Sequence, residues 1–365
     1  MRFTKTVLAA IGARIPEEIW TSEDVEQRLS PLYDRLRLPA GRLELMSGVS
    51  ARRVWPHAMP PSRISVQTAA DAIDASGIDP AEVGCLIHAS VCRDFLEPAT
   101  ASRVHAELAT ERGLRLPETG WVYDVSNACL GIVNGAVQIA TLIESGVIRA
   151  GVVVGTENAH GLLRQTIDGL NADTDLTRKT IKDAFASLTI GSASAAWVLA
   201  DERLAPEGSR LVASTALART RYNDLCRSDT DAGAGGTPTM RTDSERLMAE
   251  GIRCGADNFR QLLDEADWGV DRVERSVCHQ VGSRHRIAML EAMGLSPETD
   301  PITFDRLGNT GSAALPVTLA ADVHAGGLVR GMQLAMLGIG SGINSVMLAA
   351  RWGQTPATFV GEAWP

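Results

Sequence analysis

Residues 144–158, ESGVIRAGVVVGTEN, have a counterpart in residues 325–339, AGGLVRGMQLAMLGI. The match places Gly146 on Gly327, an offset of 181 residues in a chain of 365. An internal match at about half the chain length indicates that the protein is built from two related halves. We therefore begin from the prediction that one structural unit occurs twice.

Both halves alternate apolar, strand-like segments with helix-like segments. The first half has strand patterns at residues 84–90 (GCLIHAS) and 151–155 (GVVVG), with helix patterns before and after them. Such alternation predicts a layered α/β fold. We place the N-terminal half at residues 1–205 and the C-terminal half at residues 206–365.

The composition excludes several classes of protein. Hydrophobic residues make up 45% and charged residues 22% of the chain, as in globular proteins rather than disordered ones. The net charge of -9, without a basic run, argues against binding to nucleic acid. We find no apolar run long enough for a membrane span and no signal-peptide pattern. The six cysteines lack paired spacing, so we expect no metal site or disulfide framework and a cytoplasmic location.

Cys129 is the strongest candidate nucleophile. It follows the strand pattern WVYDV at residues 121–125 and precedes a long apolar helix pattern that begins at Leu130. At a helix N-terminus the dipole and the free N–H groups favour a thiolate. A free cysteine is more often a small buried apolar residue, and the other five cysteines keep that interpretation.

The second half offers a histidine as a partner. His279 ends a strand pattern in CHQVG, and strand ends are where ligands gather in α/β sheets. An imidazole can transfer a proton or polarise a carbonyl near neutral pH. His285, six residues later, is the competing candidate.

Asn309 lies in a glycine-rich turn, GNTGS, that opens another helix pattern. The offset of 181 residues aligns this turn with the NACLG turn and pairs Thr310 with Cys129. A side-chain amide in such a turn can donate a hydrogen bond to an oxyanion. The GIGSG segment around Ser341 adds further backbone N–H groups after a strand.

A cysteine with a histidine and an asparagine suits two chemistries, namely proteolysis and acyl transfer through a thioester. The repeat at half the chain length favours acyl transfer, since papain-type proteases have no such repeat.

Four segments taken together, DVSNACLGIVNGAVQIA, CHQVG, FDRLGNTGSAALP and LGIGSGINS, resemble the thiolase superfamily. They are most similar to its ketoacyl-acyl-carrier-protein synthase III branch, and the resemblance spans nearly the whole chain. SPLYDRLRLP, GVSARRVW and ASVCRDFLEPATAS resemble the OleA-type enzymes, which join two long-chain acyl-CoAs head to head. The resemblance implies a thiolase-like, five-layered αβαβα fold made from two pseudo-equivalent halves.

The resemblance also implies a role for each candidate residue. Cys129 would carry the first acyl group, and His279 and Asn309 would hydrogen-bond the enolate oxygen of the second. Backbone N–H groups of Cys129 and of the turn at Ser341 would hold the tetrahedral oxyanion.

Glu97 distinguishes the OleA-type reaction within this branch. The resemblance implies that Glu97 removes the α-proton and reaches the active site of the other subunit of a homodimer. Arg284 would meet the CoA phosphates or a carrier protein. Acyl-CoA or acyl-carrier-protein thioesters would be the substrates, and no further cofactor is expected.

Three alternatives stay open at this point. One is a decarboxylative synthase III condensation with a malonyl thioester, in which a base at Glu97 is not needed. The others are acyl transfer to an alcohol or amine, and a non-catalytic partner subunit. The sequence does not fix the acyl chain length, the pathway, or the choice between CoA and carrier protein.

Overall fold

The computed structural model describes residues 1–228 and 240–361. The strands are β1 (Thr6–Arg14), β2 (Ile19–Thr21), β3 (Ala51–Arg53), β4 (Val83–Ala89), β5 (Trp121–Val125), β6 (Ala150–Glu157), β7 (Ala193–Asp201), β8 (Ser209–Ala218), β9 (Cys226–Ser228), β10 (Met240–Thr242), β11 (Arg275–Cys278), β12 (Gln333–Gly340), β13 (Asn344–Arg351) and β14 (Ala357–Val360). The helices are α1 (Ser22–Arg28), α2 (Ser30–Leu36), α3 (Arg42–Ser47), α4 (Pro61–Ser76), α5 (Thr100–Arg112), α6 (Gly131–Glu144), α7 (His160–Ala172), α8 (Ser244–Ala266), α9 (Ser283–Met293), α10 (Phe304–Leu307) and α11 (Ala314–His324).

Two short 3-10 turns lead into the central helices. Ala128–Leu130, the Cys129 turn, precedes α6, and Gly311–Ala313, the Ser312 turn, precedes α11.

The main sheet has ten strands and repeats one pattern on either side of its centre. Its order is β11-β12-β13-β8-β1-β7-β6-β4-β5, with β14 beside β1. In the first half β4 and β6 are parallel, whereas β7 is antiparallel to both β6 and β1. In the second half β11 and β12 are parallel, whereas β13 is antiparallel to both β12 and β8. The two halves thus share one strand order, and they meet where β1 pairs with β8.

Three layers of helices enclose the two halves of the sheet. Helices α4 and α5 cover the first half, and α8 and α9 cover the second. Helices α6 and α11 lie between the halves. Ile132 of α6 and Leu319 of α11 share one buried core with Ile87 of β4 and Met336 of β12. Burial of each such side chain contributes roughly 1.5–3 kcal/mol. The predicted five-layered αβαβα fold is confirmed.

The predicted apolar segments lie on the observed elements. The strand patterns at residues 84–90 and 151–155 fall on β4 and β6. Helices α1 to α3 and α7 were not predicted from the sequence. The glycine-rich loop expected around residues 227–238 lies almost wholly outside the described residues. The division at residues 205 and 206 stays a prediction.

The halves correspond at an offset of 183 residues between these turns, two more than expected. Ala128 and Gly311 both begin a 3-10 turn, and both have positive φ, +46° and +56°. Cys129 therefore corresponds to Ser312, and its expected pairing with Thr310 is wrong. The cause is a difference in helix length, because α6 has 14 residues and α11 has 11. The matched segments follow these helices, so they do not give the register of the turns before them.

Among residues 1–228 and 240–361, no helix combines the length and the apolar character needed to cross a bilayer.

Glu144, the last residue of α6, anchors the start of β1. Its carboxylate accepts hydrogen bonds of 2.7–3.1 Å from the N–H and hydroxyl groups of Thr4 and Thr6 and from the N–H of Lys5. Burial raises the pKa of Glu144, but these hydrogen bonds prevail and lower it from 4.5 to about 2. The carboxylate therefore stabilises the fold above about pH 4.5, and this contribution is lost as the pH falls towards 2.

We expect Glu144→Gln to lower the free energy of unfolding at pH 7 by roughly 1–2 kcal/mol, reduced for solvent screening of a partly exposed group. Urea denaturation at neutral and acidic pH measures the difference between variant and parent, which should shrink as the pH approaches 2. Glu111→Gln, at an exposed position of α5, is the control and should change stability little. An equal loss at every pH would contradict this account.

Candidate active site

The Cys129 turn joins β5 to α6 and holds Cys129 at the start of the helix. Ala128 adopts the left-handed region, which few non-glycine residues occupy. A Cβ on Gly131 would lie 3.2 Å from the carbonyl carbon and oxygen of Ala89. The turn therefore rests on the carboxyl end of β4, where ligands gather in α/β sheets. Cys129 is only partly buried.

The structure reverses the protonation state expected for Cys129. Burial raises the pKa of its thiol to about 12, Glu157 and Cys226 raise it further, and the N–H of Cys129 offsets only part of the rise. At neutral pH the resting side chain is thus a thiol, whereas the helix N-terminus predicted a thiolate. Nucleophilic attack by Cys129 must therefore be coupled to loss of its proton.

The end of β12, from the second half, packs against the Cys129 turn. A Cβ on Gly340 would lie 3.5 Å from the backbone nitrogen of Cys129. His279 follows β11 beside the same strand, and its N–H donates to the carbonyl of Leu337 at 3.0 Å. Cys129 and His279 therefore border the same end of β12, although they come from opposite halves.

A buried carboxylate fixes the chain on both sides of His279. Asp300 accepts hydrogen bonds from the N–H of Cys278 at 2.8 Å and from Nε2 of Gln280 at 3.3 Å. Arg286 donates its Nε to the same carboxylate at 2.8 Å, and both members of this ion pair are buried. This polar cluster sets the direction in which the imidazole leaves the backbone.

His279 is a neutral imidazole at physiological pH. Burial lowers its pKa to about 3, with a further contribution from His285. Its Nδ1 is buried and has no hydrogen-bond partner in the part of the chain described. Burial likewise lowers the pKa of His285, the competing candidate on α9, to about 4. Neutral His279 retains one N–H, which suits it to donate a hydrogen bond.

Asn309 stands at the entrance of the Ser312 turn. Its N–H donates to the carbonyl of Thr189, and its carbonyl accepts from the N–H of Gly191, both at 2.9 Å. Its Oδ1 accepts from the N–H of Gly311 at 3.0 Å, which leaves the amide NH2 to donate elsewhere. The Ser312 turn contacts the Cys129 turn, so Asn309 is held close to the nucleophile's segment.

Glu97 lies on the Glu97 loop, residues 90–99, which joins β4 to α5. The carboxylate is exposed and forms no hydrogen bond or ion pair within residues 1–228 and 240–361. The neighbouring Phe95 and Leu96 are also exposed, at 50% and 64% of their surface. In the single chain this loop thus presents an apolar surface beside an acid.

Two aspartates secure the Glu97 loop. Asp94 accepts the N–H of Ser62 at 3.0 Å. Asp124, on β5, accepts the N–H groups of Thr100 and Ala101 at 2.8 Å, at the point where α5 begins. The loop is therefore held at a defined place although its tip is exposed.

The two remaining candidates lie at different distances from this cluster. Ser341 follows Gly340 in a tight turn in which Ile343 has a φ of +53°, so it adjoins the Cys129 turn. Arg284 is exposed near the start of α9, shortly after His279. The structure thus puts Ser341 next to the cluster and Arg284 on the nearby surface.

Sequence reasoning missed the buried carboxylates around the site. Glu157 had a signal, since it ends the apolar segment GVVVGTE and a buried charge requires partners. Asp300 had no such signal, because its partner Arg286 lies on another element and spacing does not connect them.

Known proteins resemble this chain over nearly its whole length. Residues 263–352 match the family model described as 3-oxoacyl-[acyl-carrier-protein (ACP)] synthase III C terminal. An acyl-CoA:acyl-CoA alkyltransferase of Shewanella oneidensis is 36% identical over 358 residues, covering 96% of this chain and 100% of that protein. The chain belongs to this alkyltransferase family.

Other acyl-CoA:acyl-CoA alkyltransferases agree with this assignment. The one from Xanthomonas campestris pv. campestris is 32% identical over 352 residues, covering 96% of this chain and 100% of that protein. A solved cysteine-to-serine variant of Xanthomonas campestris OleA, with bound lauric acid and lauroyl-CoA, superposes with a TM-score of 0.88 at 31% identity. That match covers 96% of this chain and 100% of the solved chain. The protein is therefore an acyltransferase of the thiolase superfamily.

We expect Arg286→Ala to lower the free energy of unfolding by about 3–5 kcal/mol, because it leaves the buried carboxylate of Asp300 without its counter-charge. Urea denaturation measures this loss. The matched control is Arg164→Ala, which removes an exposed partner of Asp168 and should cost less than about 1 kcal/mol. A small loss in both variants would contradict the account of the polar cluster beside His279.

Proposed function

We propose that this alkyltransferase joins two long-chain acyl-CoAs by a non-decarboxylative Claisen condensation. The main support is that Cys129 and a neutral His279 border one strand end. The lauroyl-CoA bound by the Xanthomonas relative favours a long acyl chain and a CoA carrier. Acyl-CoA is the substrate, and the proposed chemistry needs no further cofactor. A cytoplasmic location remains our expectation.

The first half-reaction transfers an acyl group to Cys129. The sulfur attacks the thioester carbonyl, the bond from that carbonyl to the CoA sulfur breaks, and the thiol proton of Cys129 leaves with CoA. Backbone N–H groups of Cys129 and of the turn at Ser341 stabilise the tetrahedral oxyanion. One such donor is typically worth about 3 kcal/mol of barrier. Because the resting group is a thiol, proton transfer accompanies the attack.

The second half-reaction forms the carbon–carbon bond. Glu97 takes the α-proton of a second acyl-CoA, and the resulting enolate oxygen accepts hydrogen bonds from His279 and from the amide of Asn309. The enolate carbon attacks the acyl carbonyl on Cys129, and the bond from that carbonyl to sulfur breaks. The thiol regains its proton, and a 2-alkyl-3-ketoacyl-CoA is released. Arg284 contacts the CoA phosphates.

The Glu97 step requires a second copy of the chain in this proposal. Strand β5 is the edge of the sheet, and one side of its backbone has no strand partner in the described residues. Trp121 on β5 is 53% exposed, and the Glu97 loop exposes Phe95 and Leu96. A homodimer formed along β5 would cover these apolar side chains and direct Glu97 into the partner's site.

Incubation with lauroyl-CoA alone tests the first half-reaction. We expect intact mass spectrometry to show a lauroyl adduct on the parent chain and no adduct on Cys129→Ala, together with release of free CoA. Cys254→Ala, at a buried cysteine on α8, is the control and should still form the adduct. Labelling of a different cysteine would refute the assignment of the nucleophile.

We expect Glu97→Gln to form the lauroyl adduct normally but to lose condensation by about 10²–10⁴-fold, because the base is absent. Product ketone is measured after hydrolysis and decarboxylation, with Glu111→Gln as the control. Product formed only with a malonyl thioester, and unaffected by Glu97→Gln, would favour the decarboxylative alternative.

Mixed dimers test whether Glu97 serves the partner's site. If it does, refolding or co-expressing Cys129→Ala with Glu97→Gln creates one intact site in each mixed dimer. Activity should then recover to about a quarter of the parent value, as random pairing of two chains predicts. Two inactive variants that stay inactive together would place Glu97 in its own subunit's site.

A further inference from the structure

The ends of β6 and β12 are equivalent positions in the two halves. Each strand has eight residues, AGVVVGTE in β6 and QLAMLGIG in β12, with glycine at the sixth position. The last residue is Glu157 in β6 and Gly340 in β12. The same 183-residue offset that pairs Cys129 with Ser312 also pairs Glu157 with Gly340.

Each of these strand ends lies against the turn of the other half. Gly340 faces the Cys129 turn, where its Cβ would be 3.5 Å from the nitrogen of Cys129. Glu157 faces the Ser312 turn, where its Oε1 accepts the N–H of Ser312 at 3.1 Å and also the hydroxyl of Ser312. The two arrangements differ in one respect: a carboxylate covers the turn N–H in one half, and glycine stands at the corresponding position in the other.

The same carboxylate oxygen reaches a third segment. Oε1 of Glu157 accepts the N–H of Val91, at the start of the Glu97 loop, at 3.2 Å. Glu157 is buried, with 5% of its surface exposed. It therefore connects the loop that carries Glu97 to the turn that follows Asn309. Three donors on one buried oxygen make a rigid junction, because each donor loses its only acceptor if the carboxylate is removed.

We propose that Glu157 is a positioning residue, whose carboxylate closes the second-half counterpart of the nucleophile site and thereby holds the Glu97 loop and the Asn309 segment around Cys129. The carboxylate occupies at Ser312 the place that a substrate oxyanion occupies at Cys129. This inference rests on the proposed function, since it assigns a purpose to the positions of Glu97 and Asn309.

The charge of Glu157 provides a readout that a merely structural role would not change. Behind burial, Glu157 is the largest electrostatic influence that raises the pKa of Cys129. Removing its charge while keeping its shape, as in Glu157→Gln, should therefore lower the pH at which Cys129 reacts with iodoacetamide. Peptide mass spectrometry follows alkylation of the Cys129 peptide across pH, and this assay involves no acyl-CoA.

The decisive experiment compares Glu157→Ala and Glu157→Gln with Glu26→Ala. Glu26 is a matched control because it is a buried carboxylate, far along the chain on α1, that accepts backbone N–H groups of Gly41 and Leu43 at 2.6 and 2.7 Å. We expect Glu157→Ala to lose about tenfold or more in condensation, since small displacements of catalytic groups have such effects. Added formate should restore the rate in a saturable way by binding at the Ser312 turn, with chloride at equal ionic strength as the salt control. Glu157→Gln should keep more activity than Glu157→Ala.

Each outcome decides the proposal. Formate rescue specific to Glu157→Ala, with a lower alkylation pH in Glu157→Gln, supports it. Parent-like condensation in Glu157→Ala, or losses that match Glu26→Ala and do not respond to formate, overturns it. If Glu157→Ala does not fold, an unchanged alkylation profile in Glu157→Gln overturns it as well. If the parent protein makes no condensation product while the alkylation shift is present, the proposed function fails and the role of Glu157 at Cys129 stands.

Discussion

Each half of the molecule ends its central strand on the turn of the other half, and this crossed contact is the constraint on which the site depends. Gly340 approaches the backbone of Cys129, and Glu157 is hydrogen-bonded to Ser312. Neither contact exists within one half. The packing of α6 and α11 between the sheets holds both contacts in place, so the apolar core that stabilises the fold also assembles the chemistry.

Local patterns in the sequence predicted the elements that carry their own signal. The apolar strands β4 and β6, the helix after Cys129 and the strand end at His279 were found because periodicity and glycine-rich turns mark them directly. Helices α1 to α3 were missed because they are short and polar. Their apolar side chains gain stability from a cluster shared with α7, which lies more than a hundred residues later. The register of the two halves was missed by two residues because α11 is shorter than α6.

The chemistry of the candidate site was predictable in its residue types and not in their charge states. Cys129, His279 and Asn309 lie in recognisable turns and strand ends. The pKa of Cys129 instead follows from burial and from Glu157, 28 positions along the chain, and the orientation of His279 follows from Asp300 and Arg286. Tertiary structure brings these groups together, and no spacing rule connects them.

The protonated state of Cys129 also bears on how this protein survives in an oxidising cell. Peroxides react with thiolates, and a thiol that keeps its proton is oxidised to sulfenic acid only slowly. Burial and Glu157 thus shield the sulfur while no substrate is bound. During turnover the sulfur is capped as a thioester. The reactive anion then exists only briefly, between one covalent state and the next, and the chain needs no resolving cysteine to rescue it.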